Sequence, residues 1–294
     1  MKHAGIDEAG YGPTLGPLGI ACAVAEAESH EVLVSALAAT GVRDSKDLHD
    51  PKSLAPLERV ALPAAAWLTG FQPDTAADLF ALLGEDPALR RDLPWMAGAD
   101  EVRLPVAAKE IAQWQVPGVT PRGLRGALVH PREYNAFLRT GANKADLEWS
   151  HVGRLLGLAH DPQQEMRTVV DRLGGRKFYR DVLQAVFPGT LVLVEEEQNL
   201  VSRYRLPAEQ HAGHAIGFHV GGESISPLTA VASCIAKYAR ELHMQLLNRY
   251  WCGRLTWLKP TAGYPQDAAR WLHQVGDGYV SAWRDELVRG LPEG

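Results

Sequence analysis

The chain has 294 residues, 46% of them hydrophobic, which is enough for one large or two modest domains around a real core. A net charge of −5 excludes the chain-wide basic field of a non-specific nucleic-acid binder, although a local basic groove stays open. Three scattered cysteines, Cys22, Cys234 and Cys252, read as reduced thiols rather than a disulfide framework. Asp7 and Glu8 fall where the apolar core of a signal peptide would have to be, and no run of 18 apolar residues exists, so a cytoplasmic protein without a membrane span is expected.

Along the chain, residues 2–8 and 17–26 have the composition of two strands joined by a glycine-rich turn. Residues 30–40 read as a helix ending at Gly41. The polar loop V-R-D-S-K-D-L (42–48) precedes a helix starting near Pro51, and 60–71 reads as a further strand. The interval after it is rich in Pro, Asp and Arg and weakly periodic. It reads as an insertion, with a helix around 74–84 and then strand-and-loop material. Residues 144–159 are helical in character, and R-T-V-V-D (167–171) is a short strand ending in an acid. Next come Phe178, Val182 and Val186, spaced for one helix face, and T-L-V-L-V-E (190–195), which reads as a buried strand. Strand, helix and strand in that order predict a βαβ unit in an α/β sheet. The strongest helix is 226–247, with Leu228, Val231, Ile235, Ala239, Leu242 and Leu246 in one stripe. Lys237 and Arg240 lie off that stripe, free to face a site.

Four acids, Asp7, Glu8, Asp171 and Glu223, fall at predicted strand ends or loop entries. Gathered together they would repel and pay a desolvation cost, which a hard divalent cation offsets. Successive strand side chains point to opposite faces, so Asp7 and Glu8 can share a site only where the strand ends; Gly10 and Gly12 make an abrupt ending plausible. Taken singly, each acid reads equally well as a turn, loop or helix-capping residue. A phosphate-binding loop is the other reading of G-I-D-E-A-G-Y-G, but it lacks the Gly-Lys-Ser/Thr ending.

The order of the fragments narrows the choice. G-I-D-E-A-G-Y-G-P-T-L-G-P-L, then V-R-D-S-K-D-L, V-V-D (169–171), V-G-G-E-S-I-S-P-L-T-A-V-A-S-C-I-A-K (220–237) and T-A-G-Y-P-Q-D-A-A-R-W-L (261–272) resemble, in sequence order, the landmarks of the type 2 ribonucleases H, the HII and HIII enzymes. That resemblance implies an α/β, ribonuclease H-like fold with a mixed central sheet flanked by helices, plus an insertion and a C-terminal helical region. It implies a catalytic domain over 1–250 with the insertion at about 72–140, and a helical substrate-binding region over 251–294. The implied activity is two-metal-ion hydrolysis of the RNA strand of RNA–DNA hybrids by a monomer, with two Mg²⁺ or Mn²⁺ ions on Asp7, Glu8, Asp171 and Glu223. Substrate contacts carried over by position are Gly10, Tyr11, Gly12, Ser45, Lys46, Ser224, Lys237 and Tyr264.

The chain departs from that pattern at three places. Tyr11 stands where the HII enzymes carry Arg, Glu223 where they carry Asp, and Ala262 and Pro265 flank Tyr264. Two other readings therefore stay open: a nuclease of this fold acting on DNA or structured nucleic acid, and a catalytically silent nucleic-acid-binding homologue. His211, His214 and His219 match no strong zinc spacing and read as loop or strand histidines. Trp251, Trp257, Trp271 and Trp283 read as core packing near the C-terminus.

Overall fold

The near-continuous apolar run of the second strand, L-G-I-A-C-A-V-A, calls for a sheet covered on both faces. In the computed structural model, which describes residues 1–291, β1 (Lys2–Ala9) and β2 (Leu18–Ala27) form an antiparallel pair. Ala4 and Ile6 of β1, with Leu18, Ile20 and Cys22 of β2, enter one core, whereas Ala21, Ala23 and Ala25 enter another on the opposite face. Five more strands complete a mixed sheet: β3 (Val119–Val129), β4 (Met166–Asp171), β5 (Leu193–Glu197), β6 (Val201–Leu206) and β7 (His214–His219). Their spatial order is β3-β2-β1-β4-β7-β6-β5. β1, β4 and β7 run parallel, and the remaining neighbours are antiparallel. A mixed sheet flanked by helices is the architecture expected from the sequence.

One face carries α1 (His30–Ala38), α2 (Ala55–Thr69), α3 (Ala76–Leu82) and the long α8 (Pro227–Arg254). The other carries α5 (Pro131–Leu138), α6 (Lys144–Ala159) and α7 (Arg180–Val186). A short α4 (Pro87–Asp92) lies in the insertion, and α9 (Pro265–Val275), α10 (Asp277–Ala282) and α11 (Arg284–Leu287) form the C-terminal region. Residues 292–294, the end of the region read as 251–294, lie outside the described residues. No described helix is long and apolar enough to cross a membrane. The α8 stripe read from the sequence is buried along its whole length.

Three sequence expectations are corrected. The run 60–71 is not a strand but most of α2; it is buried on nearly every side between α8 and the sheet, so its unbroken apolar character carries no helical period. Gly70 ends it in the left-handed conformation, with its N–H on the Ala66 carbonyl. The stretch 190–195 is not a buried strand: β5 starts at Leu193 on the sheet edge, with Leu193 and Val194 exposed. Phe178 precedes α7 and is exposed, and the residue that helix buries is Leu183. The interval 72–140 contributes β3 to the sheet.

What positions the site is the approach of α8 to β1 and β2. Gly5 lies directly under α8, where a Cβ would collide with the backbone of Leu228 and Thr229. At Gly19 a Cβ would stand 3.0 Å from the Ala236 carbonyl oxygen. Thr229 Oγ1 donates to the Val169 carbonyl at 3.0 Å, tying the same helix to β4. Gly5→Ala is therefore expected to destabilise the fold by about 3 kcal/mol, the upper end for overpacking against backbone. Urea denaturation checks this, and a loss below about 1 kcal/mol would show that the seam is loose.

Candidate active site

The parallel register fixes the first contact. β1 pairs with β4 from Lys2↔Met166 to Ile6↔Val170, so Asp7 and Asp171 follow side by side where the pairing stops. β4 pairs with β7 up to Asp171↔His219, and the chain then turns through Gly221 into a short 3-10 turn, Gly222–Ser224, that carries Glu223. Gly222 N–H donates to Asp171 Oδ1 at 2.7 Å, which holds the turn against the strand end. The carboxyl ends of parallel strands are where open α/β sheets build their sites.

Asp7 lies on the α8 face and Glu8 on the α6 face, as strand alternation requires. They nonetheless meet. Asp7, Glu8 and Asp171 each bring a carboxylate oxygen within 4.8 Å of the others, because β1 ends at Ala9 and the cluster wraps its tip. Glu8 N–H donates to Asp7 Oδ1 at 2.7 Å. Gly10 then turns the chain at φ +89°, a conformation that favours glycine. Glu223 stands across the same cleft, of about 270 Å³, but outside the tight trio.

Cations rim this cleft. Lys46 Nζ lies 3.5 Å from Glu223 Oε1 and 3.7 Å from Asp44 Oδ2, on a side chain 72% exposed. Its loop is pinned to α8: Ser233 Oγ donates to Ser45 Oγ at 3.0 Å, and Lys237 Nζ to the Ser45 carbonyl at 3.2 Å. Arg240 packs on Gly10 and donates to the Ala262 carbonyl at 2.8 Å, with Tyr264 at 5.8 Å from its guanidinium. The structure thus gathers Gly10, Ser45, Lys46, Lys237 and Tyr264 around the acids. It does not bring Tyr11, Gly12 or Ser224 into the cleft. The Tyr11 ring lies beneath Lys144 Nζ at 4.3 Å, Gly12 is exposed, and Ser224 Oγ donates to the Gly221 carbonyl at 2.8 Å.

Two features escape sequence reading. Ser233 and Arg289 reach the site from α8 and from the C-terminal segment; Arg289 Nη1 donates to the Gly10 carbonyl at 2.6 Å. Ser233 lies inside the 220–237 motif without a mark of its own, and nothing in the local sequence marks Arg289. A fifth acid, Glu148 of α6, is 0% exposed. Its signal is visible afterwards: it occupies the helix stripe otherwise filled by Val152, Leu155 and Ala159. Of the three histidines, His214 is buried in β7, with Thr168 Oγ1 2.7 Å from its Nε2 and His160 Nδ1 3.0 Å from its Nδ1. Trp251 and Trp271 are core residues, whereas Trp257 is exposed.

Burial, reinforced by mutual repulsion, raises the acids. Asp7 and Glu8 are held well above the usual carboxylate range, first by desolvation and then by their acidic neighbours. Desolvation also raises Asp171 and Glu223, and pushes Glu148 up to about 8. Oxygens Oε2 of Glu8 and Oε2 of Glu223 are buried without a hydrogen-bond partner. An all-oxygen, mutually repelling and under-satisfied donor set fits a hard divalent cation.

Comparison with known proteins adds the following. Residues 4–59 match the family model described as Ribonuclease HII, a stretch that includes the first two landmarks, and this bears out the resemblance to type 2 ribonucleases H. None of the curated proteins compared matches the chain. Similar solved structures include the ribonuclease HII in a PCNA:RNase HII complex from Archaeoglobus fulgidus, with 15% identity, a TM-score of 0.48, and coverage of 100% of this chain and 98% of that one. Ribonuclease H2 from Pyrococcus horikoshii gives 19% identity and a TM-score of 0.49, over 98% and 92%. Bst-RNase HIII in complex with Mn²⁺ gives 18% and 0.49, over 98% and 66%.

A stability test follows from the electrostatics. A carboxyl whose folded pKa is raised stabilises the fold fully below its unfolded pKa, and that contribution is lost as pH rises through the folded value. For Glu148 the window runs from 4.5 to about 8. Desolvated His3, His151 and His214 act in the opposite sense, but only below their unfolded value of 6.5. In chelator, the melting temperature is therefore expected to fall between pH 6.5 and 8. Asp7→Asn is expected to flatten that fall and raise the value at pH 8 by roughly 2–4 °C, the shift that about 1 kcal/mol produces in a chain of comparable size. Scanning calorimetry decides it; a lower melting temperature for the variant would mean that the acids do not repel.

Proposed function

We propose that this chain is a metal-dependent endonuclease of the ribonuclease HII/HIII type that hydrolyses the RNA strand of RNA–DNA hybrids, acting as a monomer in the cytoplasm. The observation that carries the reading is the convergence of Asp7, Glu8 and Asp171 within 4.8 Å at the strand ends, from positions far apart in sequence. The motif order and the Ribonuclease HII match over residues 4–59 support the substrate class. Asp7, Glu8, Asp171 and Glu223 would hold two Mg²⁺ or Mn²⁺ ions. Such ions supply Lewis-acid stabilisation at the attacking and leaving oxygens of a phosphodiester.

The chain's own residues do the rest. Lys46, exposed at the rim, places a charge where a substrate phosphate would enter, and Lys237 behind it fixes the Ser45 carbonyl rather than the ligand. Tyr264, 55% exposed beside Arg240, offers a stacking face to a sugar or base. Gly10 and the open backbone at Gly12 can approach a minor groove, where RNA displays its 2′-hydroxyls. Tyr11 is turned inward and contributes no donor there. That one observation favours a second reading, in which the substrate is duplex or branched DNA.

The discriminating experiment is cleavage of labelled RNA–DNA hybrid, duplex DNA and branched DNA with Mg²⁺ or Mn²⁺. Hybrid cleavage is expected, and Asp7→Asn is expected to reduce it by about 1,000-fold or more with the fold intact. Full activity in that variant sinks the site, and preferential cleavage of DNA sinks the substrate assignment. Tyr264→Ala is expected to raise KM for hybrid by about 10-fold, in line with the loss of one stacked base, while kcat changes little. Steady-state kinetics check it, and a fall in kcat alone would place Tyr264 elsewhere in the reaction.

A further inference from the structure

Among the described residues two glutamates, Glu58 and Glu148, have no exposed surface, and they are treated in opposite ways. Glu58 of α2 is saturated with donors. Its carboxylate accepts from the N–H groups of Val106, Ala107 and Ala108 at 2.6, 2.9 and 2.6 Å, and from Tyr238 Oη at 2.7 Å. Glu148 of α6 is equally buried, yet neither of its oxygens has a hydrogen-bond partner. The nearby positive groups favour its charge only through their fields and hydrogen-bond or pack elsewhere: Lys144 Nζ sits over the Tyr11 ring at 4.3 Å, and Arg176 Nη2 is on Asp146 Oδ1 at 3.2 Å. The neighbours whose fields act on Glu148 include the site acids themselves, and Glu148 is in turn the leading acidic influence on Glu8.

A buried carboxylate without donors, set among other carboxylates, is costly unless a cation or a proton satisfies it. Glu8 leaves Oε2 unpartnered on the same face of the sheet. We propose that Glu148 is a further ligand of the divalent-cation site, supplied by α6 on the side of the cluster that Glu8 occupies. This rests on the nuclease reading above, and it adds a second wall to the site: α8 and the 3-10 turn close one face of the strand ends, and α6 closes the other. The ligand class is a hard, oxygen-preferring dication, Mg²⁺ or Mn²⁺.

The isosteric change Glu148→Gln separates the two ways of satisfying the group. Glutamine reproduces the shape and donor capacity of a protonated carboxyl but carries no charge for a cation. Mn²⁺ titration of the full-length wild type and Glu148→Gln, followed by calorimetry and by the electron paramagnetic resonance of free Mn²⁺, is the test. The variant is expected to melt at or above the wild-type temperature in chelator, because a repelling charge is gone. It is expected to bind at least one Mn²⁺ about 10-fold more weakly and to gain less thermal stability from Mn²⁺. Unchanged Mn²⁺ affinity and an unchanged Mn²⁺-induced melting shift would overturn the inference and leave the nuclease reading standing. A wild type that binds no Mn²⁺ would overturn both. Should Glu148→Gln fail to fold, Glu148→Asp, which keeps the charge and withdraws it by one methylene, is read instead: weakened Mn²⁺ binding supports the inference and wild-type affinity overturns it.

Discussion

Like-charge repulsion at the ends of three parallel strands is the constraint around which this molecule is arranged. The β1–β4 register sets Asp7 beside Asp171, and the turn after β7 adds Glu223. Neither Asp7 nor Asp171 can relax by sliding, because a one-residue slip would send every side chain of the strand to the opposite face and expose a core on each side. The repulsion is therefore stored in the metal-free fold and held there by packing. Its backing is α8, seated directly on Gly5 and Gly19 and tied by Thr229 to the Val169 carbonyl. Small residues at that seam let a helix backbone come close enough to make the strand ends rigid, which is what a preorganised charged site requires.

A site built at a strand tip draws on both faces of the sheet at once. Asp7 looks toward Ser233 and α8, Glu8 toward Glu148 and α6, and both can reach a common point only because β1 stops at Ala9 and Gly10 turns away. The net charge of the chain conceals the local balance. Lys46, Lys237 and Arg240 stand around the acids, so the cleft carries opposite signs within a few ångströms although the whole chain is acidic. Lys46 shows the effect: desolvation pulls its pKa down, yet Glu223, Asp44 and the other site acids raise it on balance. On the proposed function such a rim would attract a phosphate backbone at short range without the long-range field of a non-specific binder.

The parts of this arrangement that were legible in the sequence are those governed by local rules. Strand ends announce themselves through acids followed by glycine, and the α8 stripe through its 3.6-residue period. The order of five motifs carried the rest, and the match over residues 4–59 spans two of them. Where burial is nearly complete, period disappears: α2 has apolar residues on all sides and reads as a strand, although Gly70 marks its end as a helix cap. At the sheet edge the error runs the other way, since Leu191, Leu193 and Val194 are apolar yet exposed, and composition alone cannot tell an edge from a centre. Glu148 was missed for a different reason. A lone acid on an amphipathic helix reads as a solvated residue until the stripe it interrupts is laid against a neighbouring strand.

The glycine loop after β1 depends on residues that no local reading could supply. Thr14 and Leu15 donate to the Gly263 carbonyl at 2.7 and 3.1 Å, Arg289 N–H donates to the Thr14 carbonyl at 2.8 Å, and its guanidinium holds the Gly10 carbonyl. The C-terminal region therefore shapes the very loop that continues from Asp7 and Glu8. Tyr264, on the segment that pairs with this loop, is exposed beside it, so the ring assigned to substrate in the proposed function and the loop that follows the acids share one backbone network. Tyr11 fits the same logic from the other side. Its ring is committed to the space between Lys144 and Gly174, where it covers Glu148 instead of facing the solvent. In this chain the residue between the two glycines packs over Glu148, and on the proposed function the surfaces left to a substrate are the backbone on either side of it and the exposed ring of Tyr264.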